Sequence, residues 1–438
     1  MTINLAALDV KAENLVFTVG EQMQGPDTSA LATFENHTAA SFLNQILLDV
    51  VQGGASDIHF EPYEDMFRIR ARFDGVMREM TRLPRLFGKQ LLVRIKVIAA
   101  LDISAHRETQ SGRFRMMLNE QHGIDFRASI TPTLHGETLV LRLLYLPTEI
   151  LELSSLGLSD EQIKQINACA SRQQGMILVT GPTGSGKTVT LYTLLKNINQ
   201  QHRNIYTVED PVEINLPGVN QVNISERQGV TFGNVARTIL RQDPDVIMLG
   251  EMRDAETVDT AIKASNTGHL VLSTLHANTA PKAIPRLQNL GADLYNISSS
   301  LSMVISQRLL RRISPDYMEP YEYSKERLLA AGFHENELAE LKLFRARSTN
   351  ENANGYKGRV GVFQIMPITG KLAGIIAKGT NEWEIEQYLK DVGIKDLRRA
   401  ALDKVKAGVT DLEELERVLG PVEEPLVEVG SFGGGGYE

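Results

Sequence analysis

The sequence predicts an α/β fold with a parallel β-sheet, preceded by a smaller α+β domain, and three observations support this prediction. An apolar run over residues 176–180 leads into a glycine-rich turn and then into a helix-compatible run. From residue 159 onward, apolar strand-like runs alternate with helix-like segments, as in parallel sheets covered by helices on both faces. Before residue 147, arginine-rich strand-like runs are punctuated by glycines. A chain of 438 residues is long enough for more than one such domain.

The glycine-rich turn has the spacing of a phosphate-binding loop, Gly181-x4-Gly186-Lys187-Thr188. Glycines let backbone N–H groups turn inward around phosphate oxygens. Lys187 is then placed to meet the β- and γ-phosphates, and the Thr188 hydroxyl to ligate Mg²⁺, at the start of the next helix. The predicted site for ATP and Mg²⁺ comprises Gly181, Pro182, Thr183, Gly184, Ser185, Gly186, Lys187 and Thr188.

Polar side chains follow three further strand-like runs: Glu209, Glu251 and His276. The carboxylates that follow the first run must be solvated, paired or directed at a cation, because burying an unpaired charge is costly. An apolar run that ends in an acid, as at Glu251, is typical of the second acidic element of a P-loop ATPase. Alone, His276 fits an ordinary turn histidine, but ligands bind at the carboxyl ends of such strands, which favours contact with phosphate.

The region before the phosphate-binding loop predicts an α+β domain. Residues 66–77 alternate apolar residues with arginines, which predicts one half-buried strand with a basic face; an ordinary solvated strand face is the alternative interpretation. A helix is predicted from Thr38 to the glycines at 53 and 54, and another over Phe87–Ala100. Further strands are predicted over 112–118, 124–130 and 138–144.

The region after Pro281 is predicted to be mainly helical. Leu301, Val304, Ile305 and Leu309 share one face of a helix assumed over residues 297–312. Residues 313–358 have the composition of an insertion, residues 360–365 return to a strand pattern, and helices are predicted over 381–419.

Four sequence elements together resemble the secretion ATPases, the family that drives type IV pilus assembly and type II secretion. They match that family's Walker A, aspartate-box, Walker B and histidine-box signatures in order, and the resemblance covers about residues 40–420. The elements are Gly181–Thr188, Thr207–Glu213, Leu240–Asp245 with Gly250 and Glu251, and Ser273–His276.

The resemblance implies a RecA-like P-loop ATPase domain, a PAS-like α+β N-terminal domain and a C-terminal helical region. The expected boundaries are a short N-terminal segment 1–37, an arginine-rich domain 38–147, a linker 148–157, the ATPase domain 158–312, the insertion 313–358, the helical region 359–420 and a flexible tail 421–438. The first segment is shorter than the additional N-terminal domain with which many members dock on membrane partners, so we expect that docking module to be reduced or absent.

The resemblance also implies roles for individual residues. Lys187 and Thr188 would bind the phosphates and Mg²⁺, and His276 would contact the γ-phosphate or a neighbouring residue. Glu209 and Glu251 would share magnesium coordination and water activation, and the sequence leaves open which acid does which. Two groups of arginines complete the implied site: Arg72, Arg94 and Arg113, which would lean over the nucleotide, and Arg237 and Arg241, which would lie near it.

The insertion departs from the pattern of the assembly-type members, which carry two Cys-x-x-Cys pairs that bind zinc. The matching positions here are Ser314, Tyr317, Ser348 and Glu351, so we expect no zinc site. Packing of aromatic side chains is expected to hold the insertion together instead, with four candidates: Tyr317, Tyr321, Tyr323 and Phe344.

The resemblance implies an ATP-hydrolysing homo-hexamer that works with an inner-membrane platform protein. The chain has a single cysteine, no run of 18 apolar residues and no secretory signal pattern, so we expect a cytoplasmic protein bound to the membrane through partners. The alternative is a nucleic-acid translocase or DNA-uptake motor of the RecA-like class, although a net charge of −8 argues against it. A regulatory subunit that binds ATP without turnover would lack a catalytic group, and none is missing.

Overall fold

The computed structural model describes residues 15–19, 37–119, 123–144, 151–225, 229–348, 354–379 and 381–421. The chain forms two compact units. The N-terminal unit comprises residues 1–155 and 209–225, and the C-terminal unit comprises residues 156–208 and 226–438. The expected segment 1–37 and the expected tail 421–438 lie outside the described residues, apart from 15–19, 37 and 421.

The N-terminal unit is built on a seven-stranded antiparallel sheet with the strand order β1-β5-β6-β7-β2-β3-β4. Its helices are α1 (His37–Gln52) and α2 (Arg85–Ile98), close to the predicted positions. Its strands are β1 (Val16–Val19), β2 (Ala55–Pro62), β3 (Met66–Phe73), β4 (Val76–Pro84), β5 (Gln110–Met117), β6 (Gly123–Thr133) and β7 (Gly136–Leu144).

Alternation along the strands gives this sheet one apolar face and one charged face. On β3, Phe67, Ile69 and Ala71 are fully buried in the core together with residues of α1 and α2. Because successive side chains point to opposite faces, Arg68 and Arg72 lie on the other face. The prediction of a single strand over 66–77 was wrong, because a turn with positive φ at residues 74 and 75 folds the segment into the β3–β4 hairpin.

The C-terminal unit contains the predicted parallel sheet, whose strand order is β10-β9-β11-β12-β8-β13-β16. The five strands from β9 to β13 in this order run parallel, and β16 pairs antiparallel with β13. The last residue of β9 and all of β10 belong to segment 209–225 of the N-terminal unit. The strands are β8 (Gly175–Thr180), β9 (Ile205–Glu209), β10 (Asn220–Asn223), β11 (Val246–Leu249), β12 (Leu270–Leu275), β13 (Leu301–Ile313) and β16 (Tyr356–Pro367).

Helices alternate with these strands along the chain. The first begins after Ser159, whose hydroxyl accepts from the Gln162 N–H in a capping box. The helices are α3 (Asp160–Ala170), α4 (Lys187–Ile198), α5 (Phe232–Ile239), α6 (Ala255–Asn266), α7 (Ala283–Asn289), α8 (Leu294–Ser300), α10 (Gly370–Ala377), α11 (Glu382–Asp391), α12 (Leu397–Lys406) and α13 (Leu412–Leu419). Another helix, α9, lies in the insertion described below.

The predicted helix over residues 297–312 was wrong. Helix α8 ends at Ser300, and β13 follows directly as a 13-residue strand between β8 and β16. Nearly all residues of β13 are buried, because both faces of the sheet are covered. A strand buried on both faces lacks the alternation of apolar and polar residues that marks a half-exposed strand, so its apolar residues can fit a helical period equally well.

The insertion is held by a short two-stranded sheet and by aromatic contacts. β14 (Met318–Pro320) pairs with β15 (Phe344–Ala346), and α9 (Lys325–Ala331) lies between them in the sequence. The rings of Tyr321 and Tyr323 pack edge to face, and the Tyr323 hydroxyl donates to Glu413 at 2.7 Å. Two of the four predicted aromatic residues therefore contact each other, and one of them anchors the insertion to α13.

Buried charges join α13 to the sheet. Glu414 is fully buried and accepts hydrogen bonds from Arg417 and from the backbone N–H and guanidinium of Arg311. Burial alone would raise the pKa of Glu414, but the hydrogen bonds from the two arginines hold it below its usual value. Asp411 caps α13 and also accepts from the Tyr356 hydroxyl at 2.7 Å, which links the helix to β16.

Within the described part of the chain, no helix is long and apolar enough to cross a membrane. The same residues contain no group of three or more His, Cys, Asp or Glu side chains arranged to hold a metal ion. The zinc content of the protein therefore stays a prediction that only a measurement on purified protein can test.

We expect Glu414→Gln to destabilise the C-terminal unit by about 3 kcal/mol, because it leaves Arg311 and Arg417 without their charged partner in a buried setting. The midpoint of urea unfolding, followed by the fluorescence of Trp383, measures this. The control is Glu416→Gln on the same helix, whose partly exposed pairing with Arg327 should contribute about 1 kcal/mol or less. Equal shifts for the two variants would contradict a special role for the buried pairs.

Candidate nucleotide-binding site

The predicted phosphate-binding loop lies between β8 and α4. Strand β8 is fully buried, and the loop carries positive φ at Gly181, Gly184 and Gly186, so side chains there would be strained. A Cβ on Gly181 would lie 2.6 Å from the backbone oxygen of Gln307, and one on Gly186 would lie 2.7 Å from the Gln307 amide nitrogen. The first and third glycines are therefore required by close packing on β13 as well as by backbone geometry.

Gln307 supports the phosphate-binding loop through two hydrogen bonds. Its amide nitrogen donates to the Ser185 backbone oxygen at 2.7 Å, and its amide oxygen accepts from the Thr190 hydroxyl at 2.7 Å. Ser185, Thr190 and Gln307 are all buried, and Gln307 is only 2% exposed. A buried amide that satisfies both partners fixes the loop relative to the first turn of α4, since losing either bond would leave a buried polar group unpaired.

The Lys187 ammonium lies at the Gly181 end of the loop. It donates to the backbone oxygens of Gly181 and Pro182 at 2.9 and 3.1 Å. Burial lowers the pKa of Lys187, and the nearby Arg308 lowers it further, whereas Glu251 opposes the shift. Arg308 itself is largely buried and donates to the backbone oxygens of Gln307 and Asn278, so a second cation lies beside the loop.

Glu251 and His276 meet at the carboxyl ends of β11 and β12. The His276 imidazole Nε2 lies 3.0 Å from Glu251, and the same carboxylate accepts from Arg253 at 2.8 Å. Two hydroxyls fix the neighbouring strand ends: Ser273 donates to the Leu249 oxygen and Thr274 to the Gly250 oxygen, both at 2.7 Å. The structure thus brings together two residues that the sequence predicts for the site, and the Glu251 carboxylate lies between His276 and Arg253.

The remaining predicted residues of the parallel sheet lie in other surroundings. Glu209 ends β9, is nearly fully buried, and accepts from the Gln221 amide at 3.2 Å. Arg237 on α5 pairs with Glu256 of α6 and donates to Asn234 at 2.6 Å. Arg241 is exposed after the end of α5. The roles of these three residues toward a nucleotide stay predictions.

The charged face of the N-terminal sheet carries a row of arginines in cross-strand register. Arg113, Arg127 and Arg142 lie directly opposite one another on β5, β6 and β7, and the row continues through Asp57 to Arg72 on β2 and β3. We call these four arginines the arginine row. Asp57 lies 2.9 Å from Arg142 and 3.7 Å from Arg72. Like charges directly opposite in a sheet repel, so such a row needs an anion nearby.

One such anion within the same unit is Glu213, in the segment that follows β9. Burial raises the pKa of Glu213, and the arginines at 142, 127 and 113 oppose that rise. Arg94 lies apart from the row: it belongs to α2, which packs on the apolar face of the sheet, and burial lowers its pKa. Arg72 and Arg113 therefore share a surface that Arg94 does not.

The loop fits a bound nucleotide phosphate. The buried Ser185 hydroxyl has no hydrogen-bond partner among the described residues, whereas the Thr188 side chain is exposed at the start of α4. Left-handed glycines, an adjacent lysine and a free hydroxyl at a helix N-terminus form the donor set that phosphate oxygens require. The Thr188 hydroxyl and the Glu251 carboxylate of the same unit are oxygen ligands of the kind that Mg²⁺ prefers.

Four residues of these surroundings were missed in the sequence: Gln307, Arg308, Arg127 and Arg142. The first two were assigned to a helix, where neighbouring residues would point in different directions from those of a strand. The spacing of the arginines indicates nothing by itself, because cross-strand register joins residues 14 to 15 positions apart. An arginine at an outward position in each of three consecutive predicted strands was the available signal.

Comparison with known proteins is consistent with this geometry. The family model described as "Type II/IV secretion system protein" matches residues 34–417. The type IV pilus assembly ATPase PilB of Pseudomonas aeruginosa is 44% identical over 418 residues, which cover 95% of this chain and 74% of that protein. The type II secretion system ATPase E of Vibrio cholerae is 40% identical over 403 residues, covering 92% of this chain and 79% of that protein.

Two solved structures share the fold. The pilus retraction motor PilT with bound ADP is 27% identical with a TM-score of 0.58, and the match covers 85% of this chain and 95% of that one. The Legionella pneumophila ATPase DotB has a TM-score of 0.64 at 21% identity, with 86% of this chain and 94% of that one covered. The second likeness concerns the fold alone.

We expect Gln307→Leu to weaken nucleotide binding about tenfold, because it leaves the Ser185 oxygen and the Thr190 hydroxyl unpaired beneath the loop. The dissociation constant of a fluorescent ATP analogue and the melting temperature should be measured together. The matched control is Gln364→Leu on β16, a buried glutamine that accepts from the Ala280 N–H. If both variants lost stability equally and bound nucleotide equally well, Gln307 would have only a structural role.

Proposed function

The chain belongs to the Type II/IV secretion system protein family, and we propose on that basis that it is an ATP-hydrolysing motor for type IV pilus assembly or type II protein secretion. The main support for the proposal is the arrangement of polar residues in the C-terminal unit. A phosphate-binding loop, an acid and a histidine occupy the carboxyl ends of adjacent parallel strands, where nucleotides bind in this class of sheet.

Different residues of the site have different roles in phosphoryl transfer. Backbone N–H groups of the loop and the Lys187 ammonium bind phosphate oxygens, and the Lys187 side chain is half-buried, so this charge is partly shielded from water. Mg²⁺, held by Thr188 and the acids Glu209 and Glu251, would supply charge neutralisation on the β- and γ-phosphates. The His276 imidazole fixes the Glu251 carboxylate, which is then ready to hold the attacking water or a metal-bound water.

The arginine row supplies the second half of the proposed site. We assign the four arginines of the row to a surface that closes toward the nucleotide, so that ATP binding and domain closure are thermodynamically linked. The support for this assignment is electrostatic: adjacent guanidinium groups in register are stabilised by an anion, and triphosphate is one. Arg94 and the pair at 237 and 241 remain candidates for further contacts.

The finer points of the proposal rest on the family. The C-terminal unit would be a RecA-like ATPase domain, the N-terminal unit a PAS-like domain, and the domain boundaries those expected from the sequence. Six copies would form a ring that contacts an inner-membrane platform protein from the cytoplasmic side, with ATP and Mg²⁺ as ligands and without zinc. The relatives reported above act in pili and secretion, so the nucleic-acid translocase alternative has no support from them.

We expect Lys187→Ala to abolish ATP binding and Glu251→Gln to keep binding but lower kcat about 100-fold, because the first removes the phosphate-binding cation and the second the catalytic carboxylate. Phosphate release and nucleotide binding are measured on the purified chain, with and without DNA. Asp259→Asn, an exposed acid on α6, is the control. Normal turnover by Glu251→Gln, or strong stimulation by DNA, would contradict the proposal.

We expect Arg72→Ala and Arg127→Ala each to lower kcat/KM for ATP about tenfold while the melting temperature changes little, because each removes one guanidinium from the closing surface. The control is Arg82→Ala on β4, whose exposed side chain pairs locally with Glu79. Wild-type turnover in both row variants would refute the closing-surface assignment.

A further inference from the structure

A cleft of about 620 Å³ opens beside the phosphate-binding loop. Its walls are the first part of the loop, Gly181 to Thr183, the segment His276 to Asn278, and the exposed side of α7. Lys282, the N-cap residue of α7, and Arg286 within α7 line it, as does Glu382 of α11. Neither Lys282 nor Arg286 belongs to the predicted nucleotide site.

The cleft lies at the γ-phosphate end of the loop. The Lys187 ammonium, which meets the β- and γ-phosphates in this class of loop, is directed at the Gly181 and Pro182 oxygens. These two residues and the Glu251-bound His276 also line the cleft. A phosphate group that moves from the γ-position, away from the rest of the nucleotide, therefore enters the cleft.

The charge in the cleft suits a phosphate dianion. Arg286 is exposed and has no carboxylate partner among the described residues, and a guanidinium binds phosphate oxygens in a bidentate manner. Lys282 has a partner, Glu382, but at 3.6 Å the contact is loose and partly exposed. His276 adds an imidazole at the inner wall. Among the lining residues, the two cations outnumber the single carboxylate.

We propose that this cleft is the release site for inorganic phosphate, with Arg286 as its principal ligand and Lys282 as a secondary one. The proposal rests on the ATPase function proposed above. In that reaction the water oxygen bonds to the γ-phosphorus, the bond to the bridging oxygen breaks, and ADP, inorganic phosphate and one proton result. The phosphate then moves from the loop to Arg286 before it reaches solvent.

Product inhibition tests the site. Turnover of the purified full chain is measured at increasing concentrations of inorganic phosphate and, separately, of ADP. We expect Arg286→Gln to raise the inhibition constant for phosphate about tenfold and Lys282→Gln about threefold, with the constant for ADP unchanged in both. Lys164→Gln, an exposed lysine on α3 outside the cleft, should change neither constant.

The outcomes separate this inference from the function on which it rests. Absence of turnover in the wild-type chain would refute the ATPase, whereas wild-type turnover with an unchanged phosphate constant in Arg286→Gln would overturn the release site alone. A raised KM for ATP or a large fall in kcat without a change in phosphate inhibition would make Arg286 a contact of bound ATP, and a changed oligomeric state would make it an interface residue. Either result would overturn the proposal.

Discussion

The candidate site depends on the buried amide of Gln307. The Lys187 ammonium serves the Gly181 and Pro182 carbonyl groups of the loop, whereas other buried carbonyl groups need partners from outside the loop. Gln307 donates to one of them, at Ser185, and accepts from Thr190 one turn into α4. The same side chain fills the space that a Cβ at Gly186 would occupy. One residue thus constrains the loop sequence, the loop conformation and the position of the helix.

This arrangement fixes the place of β13 in the sheet. Gln307 reaches the loop because β13 runs parallel to β8, with Ser306 paired to Thr180 at the end of the buried strand. On the other side of β8, the Ser273 and Thr274 hydroxyls hold the carboxyl ends of β11 and β12 together. The loop therefore lies between two rigid neighbours, one that supports it and one that presents the acid and the histidine.

Local chemistry explains how much was predictable from sequence. The phosphate-binding loop, the acid at 251 and the histidine at 276 are each determined by a few consecutive residues, and parallel strands bring their carboxyl ends to one edge without further information. Segment 301–313 could not be assigned in this way, because burial on both faces removes the alternation that identifies a strand. Arg127 and Arg286 were missed for another reason: their importance comes from neighbours that only the folded chain supplies.

The insertion shows how polar groups can hold a subdomain in which no cysteine occupies the four matching positions. Asp411 and Glu414 are both completely buried on one turn of α13, and together they bind the backbone of β15, the hydroxyl of Tyr356 and two arginines. Such a network contributes specificity of position more than net stability, since desolvation offsets much of the Coulomb attraction.

The arginine row shows the opposite balance of charge, because its guanidinium groups outnumber the carboxylates that face them. At α13 each buried carboxylate has its cations within the chain, whereas in the row Asp57 and Glu213 face four guanidinium groups. The surplus positive charge belongs to residues fixed by strand register, so the sheet cannot relieve the repulsion by moving one arginine away. Water screens this charge at the exposed members Arg113 and Arg142, and an anion bound to this face would balance it further.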